Sequence, residues 1–174
     1  MKFYWLIYLS LLSASQFSEH KVDSFTISER LLPFKIFVGN TYLGKIENSK
    51  IKKAQSEKCT WEWALNGSAV RMLRSINGNE YQTETIIMWN PNLKRLVGWS
   101  FSSSGNFVKK FIEIKKKKII ITEDVSDNSN GITTIRTSYI SGYDGFMSRV
   151  TQYLMRGIWV DGNEINYQKL KTNK

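Results

Sequence analysis

Charged side chains set into apolar stretches carry most of the chemical potential of this 174-residue chain. Arg71 and Arg74 interrupt Val70, Met72 and Leu73; Glu84 stands in TETIIMW, and Arg136 in ITTIRTSY. Strands alternate, so some of these face solvent, and any that face inward need partners because an unpaired buried charge is costly. An inward arginine paired with an inward Glu84 would give an apolar cavity a polar floor. Such a pocket suits a ligand with one charged or hydrogen-bonding end. Trp61 and Trp63 are two apart and share a strand face. With Trp89, Trp99 and Tyr139 they form either a packed core or the walls of that cavity. The candidate ligand-binding set is therefore Trp61, Trp63, Trp89, Trp99 and Tyr139 as walls, with Arg71, Glu84 and Arg136 as polar anchors.

Other chemistries lack their residues. His20 is the single histidine and precedes the strand-rich part of the chain. With it in the leader, no Ser-His-Asp or Cys-His arrangement and no His/Cys zinc cluster is expected within the folded part. Cys59 is the only cysteine, so no intramolecular disulfide exists, and the thiol reads as buried and inert. Asp124, Asp127 and Asp161 fall in turn-like contexts. Glu80 and Glu84 as an acid–base pair have nothing to support them. No enzyme activity and no cofactor are expected.

The elements that position these residues are short. Asn66-Gly67, Asn77-Gly78-Asn79 and Asn90-Pro91-Asn92 punctuate the tryptophan-rich run from Thr60 to Phe101. Asn-Gly tolerates the positive φ of tight hairpins, and the intervals are strand-sized. Further strands are expected over 37–46, 106–114, 119–124, 132–140 and 146–155, and over 158–160 and 164–170, the last two separated by an Asp161-Gly162-Asn163 turn. A helical turn capped by Ser28 and limited by Pro33 precedes them. About ten strands at regular spacing, with no sustained helical period, predict an all-β fold. An antiparallel up-and-down β-barrel leaves such a meander without open edges.

Composition agrees with one globular domain: 41% hydrophobic and 13% aromatic residues supply a core, and two prolines leave little linker. Met1–Ser15 has a basic Lys2, an apolar stretch and Ser13-Ala14-Ser15 as a cleavage site, which predicts a signal peptide and export to the periplasm or beyond. The expected division is signal peptide 1–15, leader 16–31 and barrel domain 32–174. The net charge of +10 is concentrated at Lys115–Lys118, at Lys50, Lys52, Lys53 and Lys58, and at the C-terminus. Lysines in turns keep strand edges soluble, so no nucleic-acid partner is expected. Weak contact with anionic membranes is compatible with the surplus.

The segment Phe37-Val38-Gly39-Asn40-Thr41-Tyr42-Leu43-Gly44, the Trp61-x-Trp63 strand with Asn66-Gly67, Trp89-Asn90-Pro91, and Gly98-Trp99-Ser100-Phe101 leading to Gly105 together form a pattern. It resembles the lipocalin-like, calycin-type domains of exported bacterial proteins over residues 32–170. The resemblance implies an antiparallel barrel with an internal cavity and is silent on ligand. Nitrobindin-like relatives hold haem through a histidine, and none follows His20, so that ligation is not expected. The functional expectation is an exported β-barrel holding an apolar or amphipathic small molecule. The alternative is a filled barrel acting through its loops or basic surface.

Overall fold

The computed structural model describes residues 25–46, 55–126 and 129–171. The signal-peptide region, His20 and part of the leader lie outside them. Ten antiparallel strands form a closed barrel in which each strand pairs with its sequence neighbours. They are β1 (Asn40–Ile46), β2 (Gln55–Ala64), β3 (Ala69–Ile76), β4 (Tyr81–Asn90) and β5 (Arg95–Ser102), then β6 (Phe107–Lys115), β7 (Lys118–Asp124), β8 (Ile132–Ser141), β9 (Phe146–Met155) and β10 (Ile158–Lys169). Closure comes from β1 pairing with β10 through Tyr42↔Lys169, Leu43↔Gln168 and Gly44↔Tyr167. The up-and-down barrel read from the sequence is the observed fold.

Hairpin chemistry explains the strand limits. Asn77 and Gly78 take φ of 48° and 75° in the β3–β4 turn, and Arg156 and Gly157 take 51° and 81° between β9 and β10. Arg156-Gly157 is a two-residue turn whose twist matches that of the strands, whereas Asn77-Gly78 opens a four-residue loop between Ile76 and Tyr81. The expected Asp161-Gly162-Asn163 turn is instead a bulge inside β10, where the register with β9 shifts between Asp161 and Glu164. A side chain at Gly162 would lie 2.4 Å from the Tyr153 ring, so the glycine serves close packing. Phe37, expected at the start of the first strand, ends a 3-10 helix that runs from Glu29 to Ile36 through Pro33. Ser28 makes no side-chain cap there; its carbonyl accepts from Leu31 N–H at 2.8 Å.

The barrel has two unlike halves. At the end holding the β2–β3, β4–β5 and β8–β9 turns, the 3-10 helix plugs the opening with Leu31, Phe34 and Phe37, all fully buried. Phe34, Phe37 and Tyr139 surround Trp61, with ring centroids at 6.1, 5.4 and 5.2 Å. Around them pack Val70, Met72, Ile87, Leu96, Ile112 and Ile119. Toward the opposite end, inward positions fixed by the register carry Thr83, Thr85, Ser100, Ser102, Thr137 and Thr151. The same half also turns Ile76, Tyr81, Val108, Ile135 and Tyr153 inward.

Gly44 faces inward on β1, opposite both Glu57 and Tyr167. An added Cβ would meet Ile165 Cγ2 at 2.6 Å and Tyr167 Cδ1 at 2.8 Å. Gly44→Ala is therefore expected to destabilise the fold by about 1–3 kcal/mol through overpacking, measured as a lower urea midpoint. An unchanged midpoint would show that Tyr167 and Ile165 can move aside.

Candidate functional site

Register decides which side chains look inward, because residues directly paired across two strands share a face. Trp61, Trp63, Trp89 and Tyr139 face the interior. Trp61 and Tyr139 are buried; Trp63 and Trp89 are half-buried at the plugged end. The Arg30 guanidinium lies 3.8 Å over the Trp89 ring. Arg71, Glu84, Trp99 and Arg136 face outward. Arg71 bonds Glu62 across the β2–β3 pair and approaches Glu84 to 4.0 Å, each side chain about two-fifths exposed. Arg136 donates to Gln152 Oε1 at 3.0 Å and lies over Trp159. Trp99 retains 43% of its surface. The anticipated pairing of an arginine with Glu84 thus exists, but on the outside of the barrel rather than as a cavity floor.

The inward polar centre is a different set. Glu57 on β2 is fully buried. Its Oε1 accepts from Arg74 Nε at 2.6 Å and Tyr167 OH at 2.6 Å, and its Oε2 from Arg74 Nη2 at 3.0 Å. Arg149 Nη1 lies 3.3 Å from both carboxylate oxygens. Each member comes from a separate strand: Arg74 from β3, Arg149 from β9 and Tyr167 from β10. A sequence reading had no means to assemble them, since Arg149 and Tyr167 lie 92 and 110 residues from Glu57. Arg74 differs from Arg71 only by strand parity. The usable signal was the inward Trp61, which places Cys59 and Glu57 on its own face.

Electrostatics follow from this geometry. Burial alone would raise the Glu57 carboxyl, but the hydrogen bond and charge of Arg74, the charge of Arg149 and the Tyr167 hydroxyl hold it below its ordinary value. Burial opposes the Arg74 cation, yet the neighbouring Tyr139 and Glu57 keep it protonated well beyond the usual range. Tyr139 is pushed up to about 12 by burial, and Tyr167 also rises for that reason. Both phenols are neutral at physiological pH, and Tyr167 donates to Glu57. Burial likewise pushes Cys59 up to about 12, an unreactive thiol as expected.

The charges inside do not balance. Along the described strands the inward ionic groups are Arg74, Arg149, Lys110 and, exposed at the plugged rim, Lys169, against Glu57 and Glu123. Lys110 and Glu123 pair with each other. Two guanidiniums therefore share the Glu57 carboxylate. Arg149 is 6% exposed, and its Nε–H has no hydrogen-bond partner; the Trp61 indole N–H is also unpartnered. A buried cation with a free donor costs several kcal/mol unless something answers it. Access exists from the unplugged end, where Arg74, Lys110 and Glu123 side chains keep 23%, 17% and 20% exposure. Among the described residues no group of His, Cys, Asp and Glu is arranged to hold a metal ion. Two surface concavities, about 380 and 390 Å³, lie against mainly outward positions of β2–β5 and of β1 and β10.

No family model and no curated protein matches the chain. Among solved structures, that of Rv2717c from M. tuberculosis superposes with a TM-score of 0.55 and 10% identity, covering 84% of this chain and 100% of that one. The likeness extends to the barrel and no further; the lipocalin-like resemblance holds at that level too.

Glu57 has a depressed carboxyl pKa in the folded state, so its contribution is complete above the ordinary carboxylate range and fades as pH falls through the folded value. Glu57→Gln strands two guanidiniums and is expected to cost about 3–5 kcal/mol near neutral pH. The cost should shrink as pH falls below the ordinary carboxylate range, where the unfolded chain's Glu57 takes up its proton before the folded one does. Urea unfolding of both proteins against pH checks this. A pH-independent difference would mean the carboxylate is not held charged.

Proposed function

We propose that the barrel binds a small amphipathic molecule whose anionic end sits at Arg149 and Arg74, entering from the unplugged end. The observation that carries this reading is the surplus guanidinium with its free, buried Nε–H, next to an Arg74 side chain that keeps 23% exposure. Guanidinium recognises carboxylate and phosphate oxygens through its planar donor fork. Glu57 occupies the Arg74 fork from one side and orients it. Arg149 keeps a donor for the ligand. The apolar part of the molecule would extend toward the mouth, where Ile76, Tyr81, Val108, Ile135 and Tyr153 share the inward face. Ser and Thr side chains line the path to the mouth and offer hydrogen bonds. Such a site binds and orients: the Glu57 carboxylate is engaged by Arg74, Arg149 and Tyr167, and the Cys59 thiol is held neutral, so a binding protein fits better than an enzyme. Export of the chain, read from its first residues, is part of the same proposal.

The test uses three amphiphiles of equal chain length: decanoate, decanol and decyltrimethylammonium. Calorimetric titration is expected to show decanoate binding and little or none of the other two. Arg149→Met removes the surplus charge while leaving the Glu57–Arg74 pair balanced. It should weaken decanoate at least about tenfold while changing stability by less than about 1.5 kcal/mol. Equal binding of all three amphiphiles, or an unaffected Arg149→Met protein, would contradict the anionic site.

A further inference from the structure

The outer face of the β5–β6 hairpin inverts the usual pattern of a strand pair. Register places Trp99 opposite Lys109 and Phe101 opposite Phe107, all pointing away from the interior. Their inward neighbours are Gly98, Ser100, Ser102, Val108 and Lys110. Trp99, Phe101 and Phe107 keep 43%, 51% and 68% of their surface exposed, and the Trp99 and Phe107 rings lie 6.4 Å apart. Phe111 continues the row under two cations, Arg95 at 4.1 Å and Lys109 at 5.4 Å from its ring. Single exposed apolar residues need no explanation, but a contiguous aromatic row does.

Charge selects the occupant. The nearby outward acids are already engaged: Glu84 approaches Arg71, and Glu113 pairs with Lys115. The cations around the aromatic row, Arg95 and Lys109, have rings but no acid as partners among the described residues. A second copy of the chain docking here by two-fold symmetry would bring these cations together on a protein of net charge +10. An anionic bilayer surface answers both features, since aromatic rings settle at the headgroup level and lysine and arginine meet anionic lipid. We propose that the outer face of β5–β6 docks the protein on anionic membranes. The hairpin tip between Ser102 and Phe107 stands at the unplugged end, so docking would bring the barrel mouth to the lipid.

The test is sedimentation with vesicles of phosphatidylcholine alone or mixed in equal parts with phosphatidylglycerol, and it requires no barrel ligand. Wild-type protein should sediment with the anionic vesicles, remain free of the neutral ones, and be released by high salt. Trp99→Ser with Phe107→Ser should weaken the anionic partition at least about tenfold. Lys109→Ser should weaken it about fivefold. Both changes are at exposed positions; should the double variant melt early, Phe107→Ser alone serves. Three results would overturn the proposal: equal sedimentation of wild type and variants, equal binding to both vesicle types, or a concentration-dependent dimer abolished by Phe107→Ser. The last would make the face an interface between copies. Decanoate titration of the same variants separates this surface from the interior site, because neither substitution touches Arg149.

Discussion

The Glu57 carboxylate is the interaction on which the rest depends. It is buried, charged and tied to three other strands, so β2, β3, β9 and β10 are held together from inside the barrel. Its neighbours on β1 must then be small, and Gly44 is the residue that lets Tyr167 reach it. An apolar core would hold these strands as firmly, since buried ion pairs are not intrinsically better than hydrophobic packing. What the ionic centre adds is a fixed pair of guanidiniums at the border between an apolar half and a polar half. Among the described residues the other inward carboxylate, Glu123, is taken by Lys110, so the two guanidiniums share Glu57 alone.

Polarity across the wall follows the same division. At the plugged end, tryptophan, phenylalanine and aliphatic side chains point inward in the ordinary way. On β5 and β6 near the mouth, serine, glycine and lysine point inward while Trp99, Phe101 and Phe107 point outward. That inversion puts hydrogen-bonding groups where a ligand's polar end would pass and aromatic rings where a lipid surface would lie. The membrane proposal rests on the outer face of β5 and β6 and the ligand proposal on Arg149 and Arg74 inside the barrel, so they stand or fall separately.

The meander was legible because turn chemistry is local: Asn77-Gly78 sets its own φ angles, and strand-sized intervals follow. Barrel closure followed from the physical need to cover strand edges. Strand parity was not legible. Trp99 and Phe101 lie outside although their size argues for the core, and Arg74 lies inside although it matches the neighbouring Arg71 in type. Parity is a property of the whole sheet, decided by which complete register buries the larger sum, and one strand's composition does not reveal it. Arg149 and Tyr167 entered no candidate set because only closure brings β9 and β10 next to Glu57's side of the barrel. The Asp161-Gly162-Asn163 misreading has a similar cause: a bulge and a turn use the same residues, and pairing with β9 distinguishes them.

The most direct measurement is nitrogen-15 NMR of the Arg149 side-chain Nε–H during titration with decanoate. The account predicts that this one resonance moves downfield and exchanges more slowly with water as decanoate is added, with no such response to decanol. Arg74 Nε–H, already bonded to Glu57, should shift much less. An Arg149 signal that stays fixed while decanoate saturates the protein would show that the anion binds elsewhere and that the surplus guanidinium is not the site.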